Sequence, residues 1–125
     1  MFSKDSEKLE TLIGAESDFQ GELNVKGTVR IEGRVEGRVN ADYVILSETG
    51  VVKGEVSAKK IIVGGKTEGN LRAQDIVEIK TTGKVLGDIF TNKLSVAEGG
   101  IFNGKIEMKM EETKLLDFES KTQGG

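Results

Sequence analysis

A glycine followed two residues later by a branched aliphatic residue recurs along this chain at a near-constant interval. It falls in Val35-Glu36-Gly37-Arg38-Val39, Val52-Lys53-Gly54-Glu55-Val56, Thr67-Glu68-Gly69-Asn70-Leu71, Val85-Leu86-Gly87-Asp88-Ile89 and Phe102-Asn103-Gly104-Lys105-Ile106. The gaps between these glycines are 17, 15, 18 and 17 residues, and an earlier unit, Phe19-Gln20-Gly21-Glu22-Leu23, lies 16 residues before Gly37. A strand is usually about 5–6 residues long, so one interval is too long for a single strand. Three short strands joined by tight corners fit the count. A beat of this length on alternating apolar and polar residues predicts stacked coils rather than a conventional sheet.

The alternation is clearest between residues 23 and 39. Leu23, Val25, Val29, Ile31, Val35 and Val39 alternate with Asn24, Lys26, Arg30, Glu32, Glu36 and Arg38. One face of each strand is then aliphatic and the other charged, which marks half-buried strands. Later coils repeat the plan and close on glycine corners at Thr49-Gly50, Gly64-Gly65, Thr82-Gly83 and Gly99-Gly100. The interval of 15 falls at Gly64-Gly65, so that corner is expected to be two residues shorter.

These spacings predict an all-β chain: a three-sided parallel β-helix, or solenoid, of about six coils. Coils rise about 4.8 Å each, giving a stub roughly 30 Å long. The bias of parallel crossovers makes the expected winding right-handed. Its interior is a set of Val, Ile and Leu ladders, each side chain contributing about 1.5–3 kcal/mol on burial. The expected boundaries are a flexible N-terminal tail at 1–10, the solenoid at 11–108 and a flexible C-terminal tail at 109–125, where the period is lost. In that last segment Met110, Leu115, Leu116 and Phe118 are scattered among charges.

Composition narrows the function. There is no histidine, no cysteine and no tryptophan, and one tyrosine. This removes the commonest general base, cysteine-based metal or redox sites, disulfides, and most aromatic platforms for bases or sugars. The net charge is −3, but residues 19–108 carry thirteen basic against twelve acidic side chains. A nearly neutral, charge-mixed core is no nucleic-acid surface. The absence of proline suits strands paired on both edges. Apolar runs are too short for a membrane span and no secretory signal is present, so the expected address is cytoplasmic.

Two stretches imitate a phosphate loop. Gly99-Gly100-Ile101-Phe102-Asn103-Gly104-Lys105 has the glycine–lysine spacing, but Ile106 replaces the magnesium-binding Ser or Thr. Gly65-Lys66-Thr67 is preceded by Lys60 where the first glycine belongs. Neither is followed by a helix that would supply the amide cradle and dipole, and both coincide with repeat corners. No nucleotide, metal or other cofactor is expected. The carboxylates alternate outward and do not converge as an acid–base pair would, so no catalytic residue is expected either.

Two short features point elsewhere. Phe102 is a larger residue at the position held by Val35, Val52, Thr67 and Val85, and it sits in the last coil. An exposed stack end would make it an apolar contact. Met1, Phe2 and Lys4 could dip a phenyl ring and a thioether into a bilayer interface while the ammonium meets anionic headgroups. One copy would bind marginally, and many copies on a filament would add.

The sequence resembles the bactofilins. The carrying residues are Thr11-Leu12-Ile13-Gly14, Phe19-Gln20-Gly21-Glu22-Leu23 and Val29-Arg30-Ile31-Glu32-Gly33-Arg34-Val35-Glu36-Gly37, closed by Gly99-Gly100-Ile101-Phe102-Asn103-Gly104-Lys105-Ile106-Glu107-Met108. The similarity spans residues 11–108, and Met1-Phe2-Ser3-Lys4 is similar to the membrane-targeting start of many members. The resemblance implies a β-helix that polymerises end to end without nucleotide into non-polar bacterial cytoskeletal filaments. These would lie on the inner face of the cell membrane and localise cell-wall enzymes, their regulators or shape-determining proteins. It also implies a subunit contact through an apolar residue of the last coil, for which Phe102 is the matching candidate; Ile101 and Ile106 beside it and Phe19 at the other end are expected to share the polymer interface. The tails lack the proline-rich character common in relatives. A competing expectation is a β-solenoid that does not polymerise and docks a protein on its sides.

Overall fold

The structure, a computed structural model, describes residues 9–108. The expected tails, with Met1, Phe2 and Lys4, lie outside the described residues except for Leu9 and Glu10, which open the first strand. The described residues contain twelve strands and no helix, in the order β1 (Leu9–Ile13), β2 (Asp18–Asn24), β3 (Thr28–Ile31), β4 (Arg34–Asn40), β5 (Tyr43–Leu46), β6 (Val51–Val63), β7 (Lys66–Ile79), β8 (Lys84–Leu86), β9 (Ile89–Thr91), β10 (Lys93–Val96), β11 (Ile101–Asn103) and β12 (Ile106–Met108). Every pairing is parallel and joins one coil to the next. The result is a parallel β-solenoid of six coils with three sides. The first side stacks β1, β3, β5, residues 60–63, residues 76–79 and β10. The second stacks the starts of β2, β4, β6 and β7 with β8 and β11. The third stacks the later parts of those strands with β9 and β12.

Alternation decides what fills the interior. On the second side the inward column runs Phe19, Val35, Val52, Thr67, Val85, Phe102. On the third it runs Leu23, Val39, Val56, Leu71, Ile89, Ile106. On the first, Ile13, Ile31, Leu46, Val63, Ile79 and Val96 form one column. Middle coils bury these residues almost completely: Val35, Val39, Ile31 and Val85 are all 0% exposed.

The corner between second and third sides is the recurring glycine. Gly54 has φ +136°, a conformation that L side chains rarely adopt. A Cβ there would also overlap the carbonyl oxygen of Gly37 in the coil before it. Stacking therefore demands glycine twice over, for backbone angle and for clearance. Gly21 in the first coil shares the angle (φ +134°) but has no coil beneath it, and a Cβ would meet only the Phe19 ring at 3.8 Å.

The corner between first and second sides absorbs most of the uneven period. In four coils it has four residues, closed by a backbone N–H donating to the carbonyl three residues earlier, as from Gly50 to Ser47 at 2.9 Å and from Gly83 to Lys80 at 2.9 Å. At residues 64–65 it shrinks to two, as the spacing of 15 required, and residues 32–33 form a second short corner. Threonines tie the longer corners to the coil before: Thr49 Oγ1 donates to the Glu32 carbonyl and Thr82 Oγ1 to the Gly64 carbonyl, each at 2.7 Å.

The outward faces depart from expectation on one side. Second and third sides carry mainly charged and amide residues, with ion pairs such as Arg34–Glu36 (3.1 Å), Lys66–Glu68 (3.1 Å) and Arg38–Glu55 (3.6 Å). Pairs this exposed contribute little to stability. The first side instead turns Tyr43, Ile45, Ile62 and Ile76 outward. In the third coil its strand is apolar on both faces, which is why the sequence there reads as the unbroken run Tyr43-Val44-Ile45-Leu46.

Candidate assembly surfaces

A ladder residue in a middle coil is sealed by the coils above and below it, and an end coil lacks one of them. The last coil makes this visible. Phe102 stands on Val85 at the top of its column and is only partly buried. Ile106 stands on Ile89 and is 41% exposed, whereas Ile89 is 0%. Val96 and Met108, also above buried partners, are each 46% exposed. Leu94 is partly buried beside them. The last coil therefore ends in an apolar triangle with one or two side chains per edge.

The first coil presents the opposite triangle. Ile13, Phe19 and Leu23 pack against Ile31, Val35 and Val39 and are partly buried. Of the residues picked out in the sequence, Phe102 and Ile106 share the last coil and face inward. Phe19 faces inward at the far end of the same column. Ile101 is different: it extends the outward column of Lys66 and Lys84 and is 50% exposed on the rim. Sequence reasoning did not single out Val96, Met108, Ile13 and Leu23 as end residues. The available signal was positional, since each is the first or last member of its ladder.

Backbone groups add to the side chains. Among the described residues β10, β11 and β12 pair on one edge only, and so do β1 and β2. Their other edges hold N–H and C=O groups positioned to receive another coil. Solenoids that remain single normally place a polar cap over such an edge.

Electrostatics elsewhere is mild. The Lys66 ammonium donates to the Glu68 carboxylate and holds it below the usual carboxylate range, with weaker help from Lys53 and Arg34. The Arg72 guanidinium lies over the outward Phe90 ring, 4.4 Å from its centre. This cation–π contact covers the one outward phenylalanine of the third side and is worth about 0.5–1 kcal/mol at an exposed site.

Comparison with known proteins agrees with this geometry. Residues 11–107 match the bactofilin family, described as polymer-forming cytoskeletal. The chain is 32% identical to bactofilin BacO of Myxococcus xanthus over 103 residues, 82% of each chain. It is 32% identical to bactofilin BacP of the same organism over 110 residues, which cover 87% of this chain and 46% of that one. A cryo-EM reconstruction of Thermus thermophilus bactofilin double helical filaments is similar in structure, with a TM-score of 0.70 and 27% identity over 80% of this chain and all of that one.

Proposed function

The chain belongs to the bactofilin family of polymer-forming cytoskeletal proteins, and we propose that it assembles through its two coil ends, without nucleotide, into filaments lacking polarity. One observation supports this above others: among the described residues both end coils leave apolar ladder residues and strand edges uncovered, while the middle coils are sealed. Contact between like ends creates alternating two-fold interfaces, and these continue indefinitely. A second filament winds beside the first, as in the solved Thermus thermophilus relative. The filament serves as a static scaffold on the inner membrane face. Residues 1–4 supply many weak membrane contacts, and the polymer gathers cell-wall enzymes, their regulators or shape-determining proteins.

Negative-stain microscopy of the purified full chain without nucleotide tests assembly. Filaments are the expected result, and discrete short particles at every concentration would refute it. Phe102→Arg is expected to abolish filaments while keeping the β signal in circular dichroism. Burying two phenylalanines across one contact contributes about 3–6 kcal/mol. The critical concentration should therefore rise by about 100-fold or more. Persistence of filaments would remove Phe102 from the contact. Deleting residues 1–4 should release the polymer from anionic liposomes and spare assembly, and unchanged co-sedimentation would reject that anchor.

A further inference from the structure

We infer that the first side of the solenoid is a self-complementary face by which two filaments join, each subunit meeting across it a second copy of this chain whose coils run in the opposite order. This rests on the filament proposed above and assigns the face by which two filaments join. The outward column of that side runs Leu12, Arg30, Ile45, Ile62, Glu78, Ser95 from the first coil to the last. A column with Tyr43, Lys60 and Ile76 in the third, fourth and fifth coils flanks it. Tyr43, Ile45, Ile62 and Ile76 are all partly exposed and form one apolar cluster in the middle of the face. On the other two sides outward apolar residues are more scattered: Val51 lies between Arg34 and Lys66, Leu86 between Glu68 and Asn103 with Ile101 diagonal to it in the end coil, and Phe90 lies under the Arg72 guanidinium.

The order of charges selects the partner. Arg30 lies one coil before Ile45, and Glu78 one coil after Ile62. A two-fold axis lying in the face, along the strands and midway between the third and fourth coils, reverses the order of coils. Ile45 then faces Ile62 of the second copy, and Arg30 faces Glu78 of the second copy. Both contacts occur twice. Tyr43 falls opposite Lys60 of the second copy, where the ring and the ammonium attract. Face-to-face sheets lie about 10 Å apart, a gap that interdigitating isoleucines fill and that an arginine and a glutamate span. Pairing copies in the same direction would instead set Arg30 against Arg30 and Glu78 against Glu78. Arg30 and Glu78 now hold surface partners, Glu32 at 2.8 Å and the lysines 60 and 80 at 3.8 and 3.4 Å, and exchange of such exposed pairs costs little. One such patch is small for a stable dimer, but two polymers present it in register many times, and weak contacts then add.

The test uses the full chain and reads filament mass per length by electron microscopy. The parent should give paired filaments. Ile62→Glu should give single filaments with mass per length lower by about half, the same subunit spacing and an unchanged β signal. Arg30→Glu should also separate them, and Arg30→Glu combined with Glu78→Arg should restore pairing. Paired filaments that survive Ile62→Glu would overturn the assignment, as would failure of the double swap to rescue. Single filaments in the parent would overturn it too, and would give the face to residues 109–125 or to another protein. Absence of any filament in the parent refutes the proposed function instead.

Discussion

Replacing three glycines of the corner column by alanine separates backbone strain from coil-on-coil clearance. Gly21 and Gly54 have nearly the same φ, +134° and +136°, so the backbone penalty of an added Cβ is shared. That penalty is about 1–3 kcal/mol for a conformation of this kind. Gly54→Ala must also push a methyl group into the Gly37 carbonyl of the neighbouring coil, whereas at Gly21 the nearest atom is a ring carbon at 3.8 Å. Overpacking of a close-packed interior costs about 1–3 kcal/mol more. Gly54→Ala should therefore exceed Gly21→Ala by about that amount, which lowers the urea midpoint by a further ~0.3–3 M. Gly104→Ala guards against a trivial explanation. It lies in an end coil, as Gly21 does, yet its Cβ would overlap the Gly87 carbonyl. If fraying of end coils set the cost, Gly104→Ala would match Gly21→Ala; if clearance sets it, Gly104→Ala is the more damaging. All three are made in the Phe102→Arg chain at one protein concentration, so that assembly does not add to stability. Agreement of Gly21→Ala and Gly54→Ala within about 0.5 kcal/mol would refute the clearance argument.

Two further predictions concern single side chains. Thr67 interrupts an otherwise apolar column, is 3% exposed, and its hydroxyl has no hydrogen-bond partner among the described residues. Thr67→Val keeps the shape and removes the unpaired group, so it should stabilise by about 1–2 kcal/mol in urea unfolding, and a loss of stability would show that the hydroxyl is satisfied. Glu68 has its pKa lowered by Lys66, so the pair's stabilising contribution is present above the ordinary value of 4.5 and is lost as pH falls through the lowered one. Carboxyl NMR should place the Glu68 midpoint below 4.5 in the parent and return it toward 4.5 in Lys66→Met; equal midpoints would remove Lys66 as the cause.

Much of the fold is legible in the sequence because the repeat writes its geometry into two residue types. Glycines 37, 54, 69, 87 and 104 mark one corner, and the mostly aliphatic residues two positions either side mark the sides it joins. Even the shortened corner at residues 64–65 follows from one interval. The ends were partly legible. Phe102 stood out by size, but Ile101 beside it proved to point outward, because alternation and not adjacency decides which residue enters the column. The expectation of charged outer faces misses the apolar middle of the first side. Its signal lay in runs where polar residues fail to alternate, Tyr43-Val44-Ile45-Leu46 and Ile61-Ile62-Val63, and such runs look the same whether the second face is covered or bare. Alternation does place Thr67 in a valine's position, where it fits because a γ-methyl and a hydroxyl occupy nearly equal space, but does not foresee that its hydroxyl is left unpaired among the described residues.

The unequal corners of the first and second sides carry a consequence for how such a filament could be decorated. Since two residues or four serve there without disturbing the register of any side, the corner at residues 47–50 should accept a longer insert. Six layers at about 4.8 Å make each subunit about 29 Å tall. An inserted peptide would then be displayed once per subunit, turning the polymer into a molecular ruler whose graduations are set by the number of rungs.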